Sequence, residues 1–336
     1  MNAKLANIIL LIILGAYGPT NAQQSNLNED YSAYMPEVRK LNQMLAHLPP
    51  SESALTKQGL EKARAGMIGG IDSNTVLKPT VKYIQGPAGK LALYVYKPDT
   101  VRAVVLDIHG GGWNVGTALV DGQINDKMAR ACQVAVVSVE YRLAPENPFP
   151  ACIEDCKAAA RWLVDNSERE FGINKLFVSG NSAGGHLAAV TTLFIRDSLK
   201  AIGRVKGVNL VYGVYDLGET PSTRRANDTT FLPKRIMEDT WKLVFGNWTI
   251  QQRQQPQFSP LYADLHNLPP AIFTIGAADP LSDDTYFMEV KWRMAGNKTY
   301  LAVYPESPHG VDIFPTQLAK IARDKIHQWI NDRLGE

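Results

Sequence analysis

Short apolar runs recur along most of the chain, at 81–84, 91–96, 103–108, 134–139, 175–179, 207–211, 271–275 and 300–304, and they predict eight strands. The first two are separated by residues 85–90, a hairpin length, whereas the later ones are separated by helical-length segments. That spacing predicts an α/β fold whose sheet is mostly parallel, with crossover helices on its faces. Residues 185–195 are rich in Ala and Leu and suit a helix, and 315–334 carries Leu318, Ile321, Ala322, Ile326, Trp329 and Ile330 on one side. Ahead of the first strand, Pro36 opens a helix with Val38, Leu41, Leu45 and Leu48 on one face, closed by Pro49-Pro50, and a second helix spans 53–67. The polar stretch 26–34 before them reads as loose.

The gap between 211 and 271 is too long for a simple crossover and contains a helix expected at 233–245. We read it as an insertion packed on the N-terminal helices, so that cap elements fall at about 30–75 and 215–265 of one domain, 23–336. The N-terminal helices suit a lid and a pad for the core equally well.

Composition agrees with one large globular unit: 336 residues, 45% hydrophobic and 20% charged. A net charge of +2, without basic stripe or acidic tail, gives nucleic acid and membrane surfaces no electrostatic hold. At the N-terminus, Lys4 precedes the apolar run Leu5 to Leu14, and Thr20-Asn21-Ala22 supplies small residues for cleavage. These features predict a signal peptide at 1–22, Gln23 as first mature residue, and a secreted or periplasmic protein. The run of about 10 residues is short of the roughly 20 that span a membrane. Cys132, Cys152 and Cys156 are expected to be buried thiols, since their spacing suits neither a bridge between Cys152 and Cys156 nor a zinc site. Asn227, Asn247 and Asn297 open sequons.

The chemistry gathers where expected strands end. Gly180-Asn-Ser182-Ala-Gly184 falls at a strand-to-helix junction, the place where G-x-S-x-G exposes a nucleophilic serine. His109-Gly-Gly-Gly-Trp113 follows the third strand, and such a glycine run can turn backbone N–H groups toward one point. Gly111 and Gly112, with Ala183, are the expected oxyanion donors, and His109 is expected to orient the loop. No phosphate-loop pattern accompanies these glycines. A serine hydroxyl needs a base, and the base needs a carboxylate. Asp279 follows the seventh strand and His309 the eighth, giving the order Ser182, Asp279, His309. The alternative for Asp279-Pro280 is a simple turn, and for Asp283 a helix cap.

Together, His109-Gly-Gly-Gly-Trp113, Tyr141-Arg-Leu-Ala-Pro-Glu146, Phe149-Pro-Ala151, Gly180-Asn-Ser-Ala-Gly-Gly185, Asp279-Pro-Leu-x-Asp283 and His309-Gly310 resemble the hormone-sensitive-lipase-like branch of the α/β-hydrolases. The resemblance spans nearly the whole mature chain. It implies a serine esterase for short- to medium-chain acyl esters, with Ser182 as nucleophile, Asp279 as acid, His309 as base and Gly111, Gly112 and Ala183 as oxyanion donors. It implies a small-molecule ester as partner, no cofactor and no metal. The oligomeric state is left open. An amide or formamide hydrolase on the same triad, or a non-catalytic small-molecule binder, is the alternative. Two positions depart from the family pattern: Asn181 stands where Asp is usual, removing a charge beside the nucleophile, and Val311 stands where Phe is frequent, which is expected to change the pocket wall.

Overall fold

A computed structural model describes residues 24–49, 52–71 and 74–335, so the expected leader at 1–22 lies outside the described residues. All eight expected strands form: β2 (Thr80–Gly86), β3 (Gly89–Tyr96), β4 (Ala103–Ile108), β5 (Val134–Val139), β6 (Leu176–Asn181), β7 (Val205–Val211), β8 (Ala271–Gly276) and β9 (Thr299–Tyr304). A ninth, β1 (Gln24–Ser25), precedes them. One sheet results, ordered β1-β9-β8-β7-β6-β4-β5-β3-β2. β3 runs antiparallel to both β2 and β5, and every other pair is parallel. Every residue of β4, β5 and β8 is buried, which is why these strands read as continuous apolar runs and not as alternating ones.

The helices are α1 (Met35–Ala46), α2 (Lys57–Gly69), α3 (Gly122–Cys132), α4 (Ala151–Phe171), α5 (Ala183–Asp197), α6 (Pro221–Arg225), α7 (Lys234–Phe245), α8 (Ile250–Arg253), α9 (Ser282–Met294) and α10 (Gln317–Gly335). Among the described residues, no helix is long and apolar enough to cross a membrane. α10 buries Leu318, Ala322, Ile326, Trp329 and Ile330, the face its spacing predicts. The cysteines are free and buried.

Three expectations near the N-terminus need correction. Residues 26–34 are anchored: Asn26 is 1% exposed, its Oδ1 accepts from Val303 N (2.7 Å) and its Nδ2 donates to Val303 O (3.1 Å) and Tyr31 Oη (2.8 Å). A polar segment can be rigid when its polar atoms complete a sheet edge, and no apolar pattern reports that. α1 ends at Ala46, before the prolines, and leaves Leu48 58% exposed. α2 starts at Lys57, where Thr56 Oγ1 accepts from Gly59 N (3.0 Å), so 53–56 is a turn. α1 is held to the far end of the chain, with Arg39 on Glu306 and Gln317 N donating to Glu37 Oε2 (2.9 Å).

The insertion is tied to the sheet by α9. The Asp284 carboxylate accepts from Tyr215 N (2.7 Å), Asp216 N (2.8 Å) and Thr220 Oγ1 (2.8 Å). Its neighbour Asp283 accepts from Ser222 N (2.7 Å) at the start of α6. These acids therefore fix where the long insertion leaves the core. On the sheet edge, replacing Asn26 removes two hydrogen bonds to Val303 of β9 and one to Tyr31. Asn26→Ala is expected to lower stability by about 1–3 kcal/mol in urea unfolding while leaving turnover intact.

Candidate active site

The elbow is built by close approach. Ser182 carries φ 53° and ψ −122°, a strained conformation between β6 and α5, and its N–H donates to Val211 O (2.9 Å). The flanking glycines are required for want of space: a Cβ on Gly180 would lie 2.2 Å from Gly184 O, and one on Gly184 would lie 1.9 Å from Ile108 O. The positive φ thus falls on the serine itself, while the glycines let strand, helix and oxyanion loop touch.

That geometry brings Ser182 to the other two expected residues. His309 Nε2 lies 3.0 Å from Ser182 Oγ, and His309 Nδ1 lies 2.8 Å from Asp279 Oδ2. A carboxylate only accepts, so Nδ1 carries the proton and Nε2 offers its lone pair to the serine hydroxyl. Asp279 is 2% exposed, and its Oδ1 accepts from Leu281 N (2.8 Å), which fixes the carboxylate plane. Tyr212 packs edge-on against His309, with ring centroids 4.7 Å apart, and donates through Oη to Asp312 Oδ1 (2.7 Å). Tyr212 and Asp312 escaped the sequence reading because neither lies in a motif of its own.

A cavity of about 310 Å³ opens on Ser182 and His309. Gly111, Gly112 and Ala183 border it, and among the described residues none of their N–H groups is taken by another acceptor. Its apolar wall comes from Ala54, Ala63 and Met67 on one side and Leu232, Ile236 and Trp241 on the other. Both expected cap segments contribute, the first through 52–67. Val311 is buried and is absent from this wall; Gly310, Ile313 and Phe231 form that side, so the expectation that Val311 reshapes the pocket is corrected. His309 and its loop face the cavity, and the next side chain turns into the core.

The remaining motif residues hold the loops. His109 is fully buried, stacks on Tyr141 (centroids 4.1 Å) and is bonded through Nδ1 to Gly110 O (2.7 Å). Burial pushes its pKa down to about 4, which keeps it neutral and fits the expected orienting role. Tyr141 Oη donates to His109 O (2.9 Å). Arg142 bonds Asp155 through Nε (2.8 Å) and Nη2 (2.9 Å).

Asn181 Nδ2 lies 3.1 Å from both oxygens of Asp121, a buried residue that borders the cavity and that no motif signals. Burial first, then the nearby Asp107 and Asp312, push the Asp121 pKa up to about 8. At neutral pH Asp121 is therefore uncharged. The missing charge at Asn181 is not replaced by an anion from α3's entry. Behind the elbow, Asp107, Asp121 and Asp312 border a small cavity of about 20 Å³.

A serine, an imidazole that turns Nε2 to it and a buried acid, arranged at the carboxyl ends of a mostly parallel sheet flanked by helices, are the arrangement of the nucleophile-elbow class. The chain belongs to the alpha/beta hydrolase fold family, in the hormone-sensitive-lipase-like branch its motifs resemble, the family model matching residues 105–313. It is similar to an arylesterase of Saccharolobus solfataricus, 37% identical over 200 residues that cover 58% of this chain and 64% of the relative. It is also similar to carboxylic ester hydrolase LipN of Mycobacterium tuberculosis, 32% identical over 235 residues, 68% of this chain and 62% of the relative. The chain thus spans less than two thirds of the length of these two relatives. Among solved structures, an esterase of Pyrobaculum calidifontis matches with a TM-score of 0.77 and 29% identity, covering 87% of this chain and 97% of that one.

Because the folded Asp121 pKa lies above the ordinary carboxyl value of 3.8, the folded state holds a proton that the unfolded chain releases. Its contribution is intact below the ordinary carboxyl range and is lost as pH rises through about 8. Asp121→Asn, uncharged at every pH, should gain in Tm relative to wild type as the pH is raised from 5 to 8. A difference that does not change with pH would contradict a protonated Asp121.

Proposed function

We propose that the protein is an exported serine carboxylic-ester hydrolase acting on short- to medium-chain acyl esters. The observation that carries this reading is the bonded chain Ser182 Oγ, His309 Nε2, His309 Nδ1, Asp279 Oδ2, at 3.0 and 2.8 Å, opening on an apolar cavity. The esterase names of the relatives support it. His309 takes the Ser182 proton as Oγ attacks the ester carbonyl carbon. The N–H groups of Gly111, Gly112 and Ala183 receive the charge developing on the carbonyl oxygen, and Asp279 stabilises the imidazolium. Collapse of the tetrahedral species expels the alcohol, which takes the proton from His309. Water, activated in the same way, then frees the acid and restores Ser182.

Cap elements at about 30–75 and 215–265 would close this cavity, and Ser53 Oγ donating to Asp239 Oδ2 (2.6 Å) joins the two segments. The apolar wall favours an uncharged acyl group, and the neutral Asp121 leaves the site without a second negative charge to oppose the oxyanion. Export rests on the leader pattern at 1–22. Detection of the uncleaved protein in the cytosol alone would contradict it.

The test is hydrolysis of p-nitrophenyl esters from acetate to decanoate by residues 23–336, beside Ser182→Ala. Wild type should prefer the shorter chains, and the substitution should lower kcat by about 10³-fold or more. Equal rates for the two proteins on every ester would contradict the reading and turn attention to formamides or to binding without turnover.

A further inference from the structure

We propose that His186 is a positioning residue for the oxyanion loop, fixing the Trp113 side chain so that the N–H groups of Gly111 and Gly112 stay aimed at the cavity beside Ser182. The inference rests on the hydrolase reading and adds a residue to it. Its starting point is a backbone that should not be stable alone. Gly111, Gly112 and Trp113 have φ values of 110°, 56° and 59°, three left-handed residues in succession. For glycine this is ordinary; for a tryptophan it is a conformation that persists only where the surroundings hold it.

The holding contacts fall on the ring. Trp113 is 3% exposed, and its Nε1–H donates to His186 Nδ1 (3.1 Å), with the two rings edge-on at 5.3 Å between centroids. His186 Nε2 lies 2.6 Å from Phe258 O. A carbonyl cannot donate, so Nε2 bears the proton and Nδ1 is the acceptor that the indole requires. Both ring nitrogens are thereby committed, and the imidazole, fully buried, has one allowed orientation.

The location gives the contact its meaning. His186 sits one turn into α5, the helix that Ser182 caps, and its N–H donates to Ser182 O (3.2 Å). Phe258 belongs to the insertion, and so do Trp241 and Phe245, whose rings pack against Trp113 with centroids 6.0 and 5.7 Å away. One imidazole therefore ties the helix of the nucleophile, the loop that holds the oxyanion donors and the insertion above them into one unit. From outside, Arg64 of α2 completes the grip, with Nε donating to Asn114 O (3.0 Å) and Nη2 to Ala144 O (2.9 Å). Oxyanion donors act by being aimed in advance, so a small displacement of this loop is felt in the chemical step more than in substrate binding.

The experiment compares Trp113→Phe, which removes one N–H and keeps a ring, with His186→Leu, which removes both bonds, and His186→Gln, which can still accept from Trp113 and donate to Phe258. Each is measured for kcat and KM on p-nitrophenyl butyrate and for Tm, beside wild type and Ser182→Ala. Trp113→Phe and His186→Leu should lose about 10- to 100-fold in kcat with KM within about twofold, and His186→Gln should recover most of the loss. Folded Trp113→Phe with wild-type kcat overturns the proposal, as does a loss in His186→Gln equal to that in His186→Leu. Should His186→Leu fail to fold, Trp113→Phe and His186→Gln decide the question. Wild type no faster than Ser182→Ala overturns the hydrolase reading itself, an outcome distinct from active wild type with unimpaired Trp113→Phe.

Discussion

At the elbow, β6 must turn into α5 within contact distance of the end of β4. Gly180 meets the carbonyl of Gly184, Gly184 meets the carbonyl of Ile108, and Ser182 takes the strain at φ 53°. Everything at the site is arranged around that contact. Because β4 ends against the elbow, the glycine loop that follows β4 lies beside Ser182 without needing a long reach. Because β8 and β9 are parallel neighbours in the same sheet, the loops after them bring Asp279 and His309 to the same end of the sheet as the serine. The shared direction of the parallel strands places all these loops at their carboxyl ends, so the site is a consequence of topology before it is a matter of side chains.

Charge is managed by burial. Ser138, Asp107, Ser179 and Asn209 lie in register across β5, β4, β6 and β7, a polar row under the elbow in strands that are otherwise apolar. Asn125 Nδ2 (2.8 Å) and Ser138 Oγ (2.9 Å) donate to Asp107, while burial raises the pKa of Asp107 and of Asp312. Burial in this row disfavours the charged form of each acid, because a buried anion loses its hydration. Asn181 fits the same logic: its amide can donate to Asp121, where a second carboxylate would leave two acids within hydrogen-bonding distance of each other.

Much of this was legible in the sequence because its signals are local. Buried parallel strands show as apolar runs, and Ser182, Asp279 and His309 each follow one of those runs. What was hidden depends on partners far along the chain. Gln24–Ser25 has no apolar signature, and its order comes from Asn26 bonding Val303. Asp121 has no motif, and its character follows from burial beside Asn181, sixty residues later. The position of Val311 in the core, with Ile313 on the cavity, reflects how the chain turns after His309, which the pattern H-G-V does not encode. Of the insertion's helices only α7 was foreseen, α6 and α8 being too short to show a pattern, and the residues presented to the cavity, such as Ile236 and Trp241, depend on how that segment sits over the sheet.

The central claim is covalent catalysis by Ser182, and the most direct measurement is rapid-quench mass spectrometry of the enzyme mixed with p-nitrophenyl butyrate. The account predicts a burst of p-nitrophenol close to one equivalent per active enzyme and a butyryl group on the peptide that contains Ser182. Steady turnover of the ester with no acylated Ser182 peptide, or an adduct that persists in Ser182→Ala, would contradict it.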